Sequence, residues 1–481
     1  MFFRNIIWSF FNTIGIQGIS IVTTVILARL LTPEIFGFLG IATSVSALIL
    51  VFQEIGFGSY LIYTKNLKRE DISTVFFLNI VISFILSCTM YLLSGIIADF
   101  YRIKEVETII KYISAGMFIG AIGTTSRSIL VRNKKFKTLT VIDLVAESLS
   151  SIFSVILAFN NMYLISVTSR FLFRPLIRTI LLLVMNQKGL FGIPKLRKIK
   201  DMFLYSGRVM FSQIMNFLGN NLDYFLIGKM LGAKSLGYYT VAYQWSVIAR
   251  FAISGAIAKV AFPEISYYQK DFDKVKLIYL NMVNKLAFFT FPICLGLLGI
   301  APEFIEVLYG ESWRDSVVIL QILLIAGLIT SVGTVGGSVL MGIGKADVEL
   351  KVSIYSTILL GVMIFFGTFY GLLGVAISIV AQTIIIDSYK ILQISRCIDL
   401  KITSILKCLL PSLISSISML VSLLSLKLFI VNLNNSFLKM FIMILFGFLF
   451  YIIFSYIFNR KVLKWSIYKM KTVLVKNKVY A

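Results

Sequence analysis

The stretch ILARLLTPEIFG, Ile26–Gly37, joins two apolar runs at residues 6–30 and 35–56. Each run is long enough to cross the hydrocarbon core of a bilayer as a helix. A related stretch, LIGKMLGAKSLGY, lies about 200 residues further on at Leu226–Tyr238, between apolar runs at 206–231 and 236–258. The two stretches therefore predict an all-α membrane protein built from two related halves.

Apolar runs continue along the whole chain. Of 481 residues, 58% are hydrophobic and 14% charged, whereas about a quarter of a soluble domain is charged. The further runs lie at 75–98, 108–131, 138–159, 162–185, 278–301, 316–341, 349–369, 371–393, 407–430 and 437–458. We predict about fourteen transmembrane helices, with twelve or thirteen as alternatives, because some runs are closely spaced, such as 349–369 and 371–393, which little more than Tyr370 and Gly371 divides.

The net charge of the chain is strongly positive, with 46 Lys and Arg against 22 Asp and Glu and a formal charge of +24. In a soluble protein this charge would favour a nucleic-acid partner. In a membrane protein, Lys and Arg collect in cytoplasmic loops, and with the N-terminus inside roughly 28 basic residues fall inside and about 8 outside. We therefore expect a multi-pass membrane protein with both termini cytoplasmic, in contact with membrane lipids and with no nucleic acid.

The residue types present exclude several classes of chemistry. The chain has no histidine, so imidazole metal sites and mechanisms with a histidine base are excluded. Its four cysteines are far apart and mostly within apolar runs, where they act as small buried hydrophobes. No phosphate-binding loop of the G-x-x-x-x-G-K-[ST] type occurs. The sequence therefore predicts no metal or cofactor and no nucleotide-driven pump. Because its longest predicted outer loops, at 99–107 and 302–315, are short, it predicts a transporter rather than a membrane enzyme such as an oligosaccharide polymerase.

The internal repeat predicts the domain organisation. We expect an N-lobe of six helices over 1–186, a basic cytoplasmic linker over 187–205, a C-lobe of six helices over 206–394, and two further helices with a basic tail over 395–481. An even number of helices separates the repeats, so both halves have the same orientation in the membrane. Transporters of this kind bind their cargo between the halves, which predicts a central cavity.

The stretches Ile26–Gly37 and Ile227–Gln244 (IGKMLGAKSLGYYTVAYQ) resemble the corresponding regions of Wzx-type polysaccharide flippases, particularly the colanic-acid and teichuronic-acid exporter branch. These proteins form part of the multidrug/oligosaccharidyl-lipid/polysaccharide exporter superfamily. The resemblance implies a location in a bacterial inner membrane, a two-lobe fold with alternating access and an undecaprenyl-pyrophosphate-linked oligosaccharide as cargo. A peptidoglycan-precursor flippase and a multidrug or cation antiporter of the same fold stay open as alternatives, as do a polysaccharide polymerase and chain-length machinery as partners.

Three arginines lie at membrane depth in the sixth predicted helix. Arg170, Arg174 and Arg178 are four residues apart and form one stripe that rises about 12 Å along the helix. Facing lipid, the stripe would cost of order 8–10 kcal/mol, so we expect it to face a polar interior and to bind the anionic substrate. The alternative is that Pro175 ends the helix and the arginines reach the inner surface.

Further charged residues are candidates for the same transport cycle. Arg250 on the eighth predicted helix and Arg29 at the end of the first are candidate substrate ligands. Four acids are candidate counter-ions or ion-coupling groups, namely Glu54, Asp143, Glu147 and Asp223. For each acid, an ion pair between helices that fixes their packing is the competing interpretation, and for Arg29 an anchor at the outer helix end.

Overall fold

The protein is described by a computed structural model. The structure describes residues 2–479 except 54–56, 65–66, 186–189, 191, 193–216, 218, 220, 432 and 434. No described residue lies in a β-strand. The predicted linker 187–205 and the first part of the predicted helix 206–231 therefore lie mostly outside the described residues.

The described chain is helical from end to end. The helices are α1 (Phe2–Leu30), α2 (Pro33–Gln53), α3 (Phe57–Tyr63), α4 (Arg69–Tyr101), α5 (Lys104–Arg132), α6 (Phe136–Phe159), α7 (Tyr163–Met185), α8 (221–230), α9 (Gly232–Tyr267), α10 (Phe272–Tyr309), α11 (Ser316–Gly342), α12 (Ala346–Thr368), α13 (Gly371–Ile398), α14 (Ile402–Phe429), α15 (Ser436–Phe458) and α16 (Arg460–Val479).

Within the described residues, the predicted apolar runs correspond to helices, and the polytopic all-α fold is confirmed. Ten helices in the described part of the chain are long and apolar enough to cross a membrane. The closely spaced runs 349–369 and 371–393 form two helices, because Gly371 adopts a φ of 70° between them, a conformation that glycine adopts without steric cost. The short helix α3 and the amphipathic helix α16 were not among the predicted spans.

Local sequence signals explain several helix ends. Pro33 opens α2, a position where its fixed φ suits the helix and its missing N–H removes no hydrogen bond. The side chain of Asn435 caps α15 by accepting hydrogen bonds from the amides of Phe437 at 3.0 Å and Leu438 at 3.2 Å. The Asn435 cap thus satisfies two amides that have no partner inside the helix.

The chain divides into two compact units, Met1–Gly237 and Tyr238–Ala481. In the first unit, α5 packs against both α4 and α7, and α6 packs between α1 and α7. In the second unit, α10, α11 and α13 enclose an apolar core that includes Val283, Val335 and Ile394. The predicted lobe boundaries at 186, 205 and 394 stay a prediction.

Within the first unit, the two repeated stretches contact each other reciprocally. A Cβ atom added at Gly37 would lie 1.8 Å from the carbonyl oxygen of Ala233, and one added at Gly237 would lie 1.8 Å from that of Pro33. The backbones thus approach so closely that no side chain larger than hydrogen fits at either glycine. The second contact repeats the first with the two segments exchanged.

Candidate functional site

The candidate site is a group of charged residues between α5, α6 and α7 of the first unit, together with Asn12 of α1, which we call the arginine cluster. A short turn at residues 160–162 makes α6 and α7 an antiparallel pair. Acids one turn apart on α6 therefore face arginines one turn apart on α7. The members of the cluster are Asn12, Arg127, Asp143, Glu147, Arg170, Arg174 and Arg178.

Glu147 is fully buried and contacts two of the three arginines of α7. Its Oε1 atom accepts a hydrogen bond of 2.6 Å from Nη2 of Arg170. Its Oε2 atom lies 2.8 Å from Nε of Arg174, in an orientation that gives a charge contact rather than a well-directed hydrogen bond. The acid thus holds one pair of arginines one helical turn apart.

Asp143 is also buried, and it receives groups from three different helices. Nη1 of Arg127 lies 3.0 Å from each carboxylate oxygen of Asp143. Asn12 of α1 donates a hydrogen bond of 2.9 Å to Oδ2, and Nε of Arg178 lies 2.9 Å from Oδ1. Asp143 therefore joins α1, α5 and α7 to α6.

Pro175 interrupts the hydrogen bonds of α7 without ending it. The helix continues to Met185, so the alternative in which Pro175 ends the helix is wrong. A proline leaves the carbonyl of the residue four positions earlier, here Phe171, without its helical donor. That oxygen points at Gly116 of α5, where a Cβ atom would lie 1.9 Å away. Nearby, the hydroxyl of Thr179 donates a 2.9 Å hydrogen bond to the carbonyl of Ile119.

The cluster carries more positive than negative charge. Its four arginines face two carboxylates, which leaves a formal surplus of two positive charges. Arg170 is 17% exposed, whereas Arg127, Arg174 and Arg178 are 36%, 42% and 34% exposed. Three guanidinium groups therefore keep donors that the two acids do not occupy.

The structure brings five of the predicted site residues together, namely the three arginines of α7 with Asp143 and Glu147. It also adds Arg127, which the sequence prediction missed. Arg127 is the only arginine within the predicted helix 108–131. The criterion of an ionisable residue at membrane depth would have found it.

The other predicted site residues lie elsewhere in the described chain. Arg29 lies in the last turn of α1, roughly 25 Å along that helix from Asn12 of the cluster. Asp223 is buried on α8. Arg250 belongs to the second unit, where its side chain packs on Gly327 of α11. Glu54 lies outside the described residues.

Solved structures with the same arrangement of helices are membrane flippases and transporters. The lipid II flippase MurJ in an inward closed conformation superposes with a TM-score of 0.76 at 20% identity, covering 95% of this chain and 99% of that one. An inward-facing multidrug resistance MATE family transporter superposes with a TM-score of 0.65 at 17% identity, covering 79% and 94%. At these identities the likeness concerns the fold alone. The fold is that of polytopic membrane transporters.

Sequence relatives narrow this class. The chain is 29% identical to the teichuronic acid biosynthesis protein TuaB of Bacillus subtilis over 71% of each chain. It is 25% identical to the lipopolysaccharide biosynthesis protein WzxC of Escherichia coli, over 79% of this chain and 77% of that one. It is 24% identical to the succinoglycan biosynthesis transport protein ExoT of Rhizobium meliloti, over 69% and 67%.

Residues 26–318 match the family described as polysaccharide biosynthesis protein, and the chain belongs to that family. The resemblance seen in the sequence is thereby confirmed. The chain is a multi-pass membrane transporter rather than an enzyme.

Proposed function

We propose that the protein is a flippase that moves an undecaprenyl-pyrophosphate-linked oligosaccharide from the cytoplasmic to the outer leaflet of a bacterial inner membrane. The observation that carries this proposal is the surplus of two positive charges in the arginine cluster. A pyrophosphate linkage supplies an anion of complementary charge. The family of the chain supports a role in the biosynthesis of a cell-surface polysaccharide.

Arginine suits this ligand because its planar guanidinium presents several N–H donors in a fixed fork that matches phosphate oxygens. The carboxylates of the cluster contact Arg174 through Nε and Arg127 through one Nη atom. The remaining N–H groups of these side chains are the donors that we assign to the substrate. Arg170 is more deeply buried, with its Nη2 atom donating to Glu147, and we assign it the role of holding that acid.

The membrane potential supplies a driving force for this cargo. With the inside negative, outward movement of an anion is favoured by about 2.3 kcal/mol per charge per 100 mV. About two charges on the pyrophosphate would gain roughly 4–5 kcal/mol over the full field. Export of the anion therefore requires no nucleotide hydrolysis.

The proposed orientation places both termini in the cytoplasm, in agreement with the excess of Lys and Arg in the predicted inner loops. Cysteine substitutions test this orientation. A cysteine at Arg314, between α10 and α11, should react with an impermeant maleimide added to intact cells. A cysteine at Lys270, between α9 and α10, should react only after the membrane is opened, and the reverse pattern would contradict the proposal.

Transport of a fluorescent undecaprenyl-pyrophosphate oligosaccharide in proteoliposomes tests the function itself. We expect Arg174→Gln to weaken apparent substrate affinity about ten- to a hundredfold, the loss of one or two charge-assisted hydrogen bonds. Arg174→Lys keeps the charge but loses the forked N–H donors, so its apparent substrate affinity should lie between those of the native protein and Arg174→Gln. Arg314→Gln is the matched control, because this exposed arginine lies outside the apolar helices.

The outcomes separate the possible roles of the cluster. Equal transport by the native protein and Arg174→Gln would reduce the cluster to a device for helix packing. Transport of a cationic drug with no movement of the lipid-linked sugar would favour the antiporter alternative. A preference for a lipid II analogue over the oligosaccharide would favour the peptidoglycan-precursor alternative.

A further inference from the structure

The second unit contains a buried carboxylate that the proposed substrate path does not use. Asp387 lies on α13 and is 8% exposed. It faces Gly333 of α11, where an added Cβ atom would lie 2.0 Å from Oδ1 of Asp387. The glycine therefore leaves the space on α11 that the carboxylate occupies.

Asp387 differs from the other buried acids in its partners. Asp143 and Glu147 each contact two arginines, and Glu349 of α12 forms an ion pair of 3.2 Å with Lys390. Among the described residues, no hydrogen bond or ion pair reaches Asp387. The lysine one turn away on its own helix is thus already paired with another acid.

The titratable groups that face Asp387 come from four of the helices around it. They are Arg250 of α9, Tyr279 of α10, Glu349 of α12 and Lys390 of α13, while α11 contributes Gly333. When Asp387 is ionised, it and Glu349 balance the two positive charges of Arg250 and Lys390. When Asp387 is protonated, one positive charge is left over. The charge state of this acid therefore decides whether this group of residues is neutral.

An ionised carboxylate without a partner is unfavourable at membrane depth, whereas the protonated acid is a neutral hydrogen-bonding group. A metal cation would need several oxygen ligands around it, and the described residues contain no group of three or more His, Cys, Asp or Glu side chains that could hold one. A proton needs only the carboxylate itself. The local chemistry thus favours a proton over a metal ion.

We propose that Asp387 is a proton-binding site of the second unit, and that gain or loss of its proton changes the charge seen by Arg250 and Lys390. Proton binding at this position is independent of the proposed function. Its coupling to movement of the lipid-linked sugar rests on that function, so the two are tested separately.

The first test measures proton binding without transport. Dicyclohexylcarbodiimide reacts with protonated carboxyls in apolar surroundings: the acid proton passes to a nitrogen of the reagent, a carboxyl oxygen bonds to its central carbon, and rearrangement to the N-acylurea retains all atoms of both molecules. Mass spectrometry of protein in nanodiscs then locates the adduct. Glu349, paired with Lys390 in the same unit, is the matched control residue.

We expect Asp387 to carry more adduct than Glu349, and labelling of Asp387 to fall about tenfold per pH unit once the carboxyl is mostly ionised. The variant Asp387→Asn should lose this adduct and keep any adduct at other acids. Labelling of Asp387 no greater than that of Glu349 at every pH would overturn the proposal. Protection by sodium at constant pH and ionic strength would also overturn it, in favour of a sodium site.

The second test measures coupling in proteoliposomes. If the site is coupled, an imposed pH gradient should change sugar-lipid movement by the native protein but not by Asp387→Asn. If sugar-lipid movement by the native protein does not change with the pH gradient, the proposed coupling is overturned, while proton binding at Asp387 is unaffected. No sugar-lipid movement under any gradient would instead contradict the proposed function.

Discussion

The reciprocal contact between the repeated stretches makes a sharp prediction for the variant Gly37→Ala. Its new Cβ atom would lie 1.8 Å from the carbonyl oxygen of Ala233, whereas ordinary contacts begin at 3.4 Å. The two backbones must therefore move apart by about 1.6 Å, the difference between these distances. Overpacking of this kind costs about 1–3 kcal/mol.

The assay is thermal unfolding of the purified protein in nanodiscs, followed by tryptophan fluorescence. A cost of about 1–3 kcal/mol corresponds to a fall in apparent melting temperature of roughly 2–12 °C for a domain of this size. The matched control is Gly95→Ala on α4, where an added Cβ atom meets nothing within 4 Å. There we expect no change or a small stabilisation, because alanine favours a helix over glycine by about 1 kcal/mol.

The reciprocal geometry adds a second expectation. Once Gly37→Ala has separated the backbones, Gly237→Ala meets less resistance, so the double variant should lose less stability than the two single variants together. Two results would refute the reasoning. The first is a change in melting temperature of the same sign and size in Gly37→Ala and Gly95→Ala. The second is a loss of stability in the double variant that equals the sum of the two single losses.

Two further predictions concern single side chains in the same unfolding assay. Glu147→Gln leaves the poorly exposed Arg170 without its acid and should cost about 3–5 kcal/mol. In contrast, Glu107→Gln breaks only a surface pair and should cost far less, because solvent screens exposed ion pairs. Equal losses would show that Glu147 does not hold the cluster. At the start of α10, a hydrogen bond from the backbone amide of Lys274 lowers the pKa of Asp271 below its ordinary value. This lowered pKa stabilises the fold above the unfolded pKa, so the loss of stability in Asp271→Ala should be full at pH 7 and shrink as the pH falls below about 4; a loss that is independent of pH would contradict it.

The helices were predictable from the sequence because the bilayer requires long apolar segments with few charges. The run 437–458, for example, appears as α15 over Ser436–Phe458. The four-residue spacing also predicted that the three arginines of α7 share one helix face and that Asp143 and Glu147 share another. The pairing of these two faces came from the structure. Apolar length and four-residue spacing are properties of a single segment, so they can be read from each helix separately.

The effect of Pro175 was not predictable from its own helix. Whether a proline ends a helix or only interrupts its hydrogen bonds depends on where the freed carbonyl goes. Here the carbonyl of Phe171 points at Gly116 on α5, more than fifty residues away in sequence. Only the packed structure pairs these two positions.

The lack of an ion pair at Asp387, within the part of the chain that the structure describes, is a second feature that the sequence could not predict. In the sequence, Asp387 and Lys390 are one turn apart on one helix, a spacing at which opposite charges can pair. In the structure, Lys390 contacts Glu349 of α12 instead. Two acids on different helices compete for the one lysine, and Glu349 forms the pair. The spacing of residues within α13 alone cannot predict which acid does so.

The reciprocal glycine contact also has a consequence for protein engineering. In a symmetric dimer, any substitution at such an isologous contact appears twice, because both subunits carry the same residue. In this single chain, Gly37 and Gly237 are separate positions in the gene, and each faces its own carbonyl. The contact can therefore be altered one side at a time, which provides graded variants that a dimer of identical subunits does not allow.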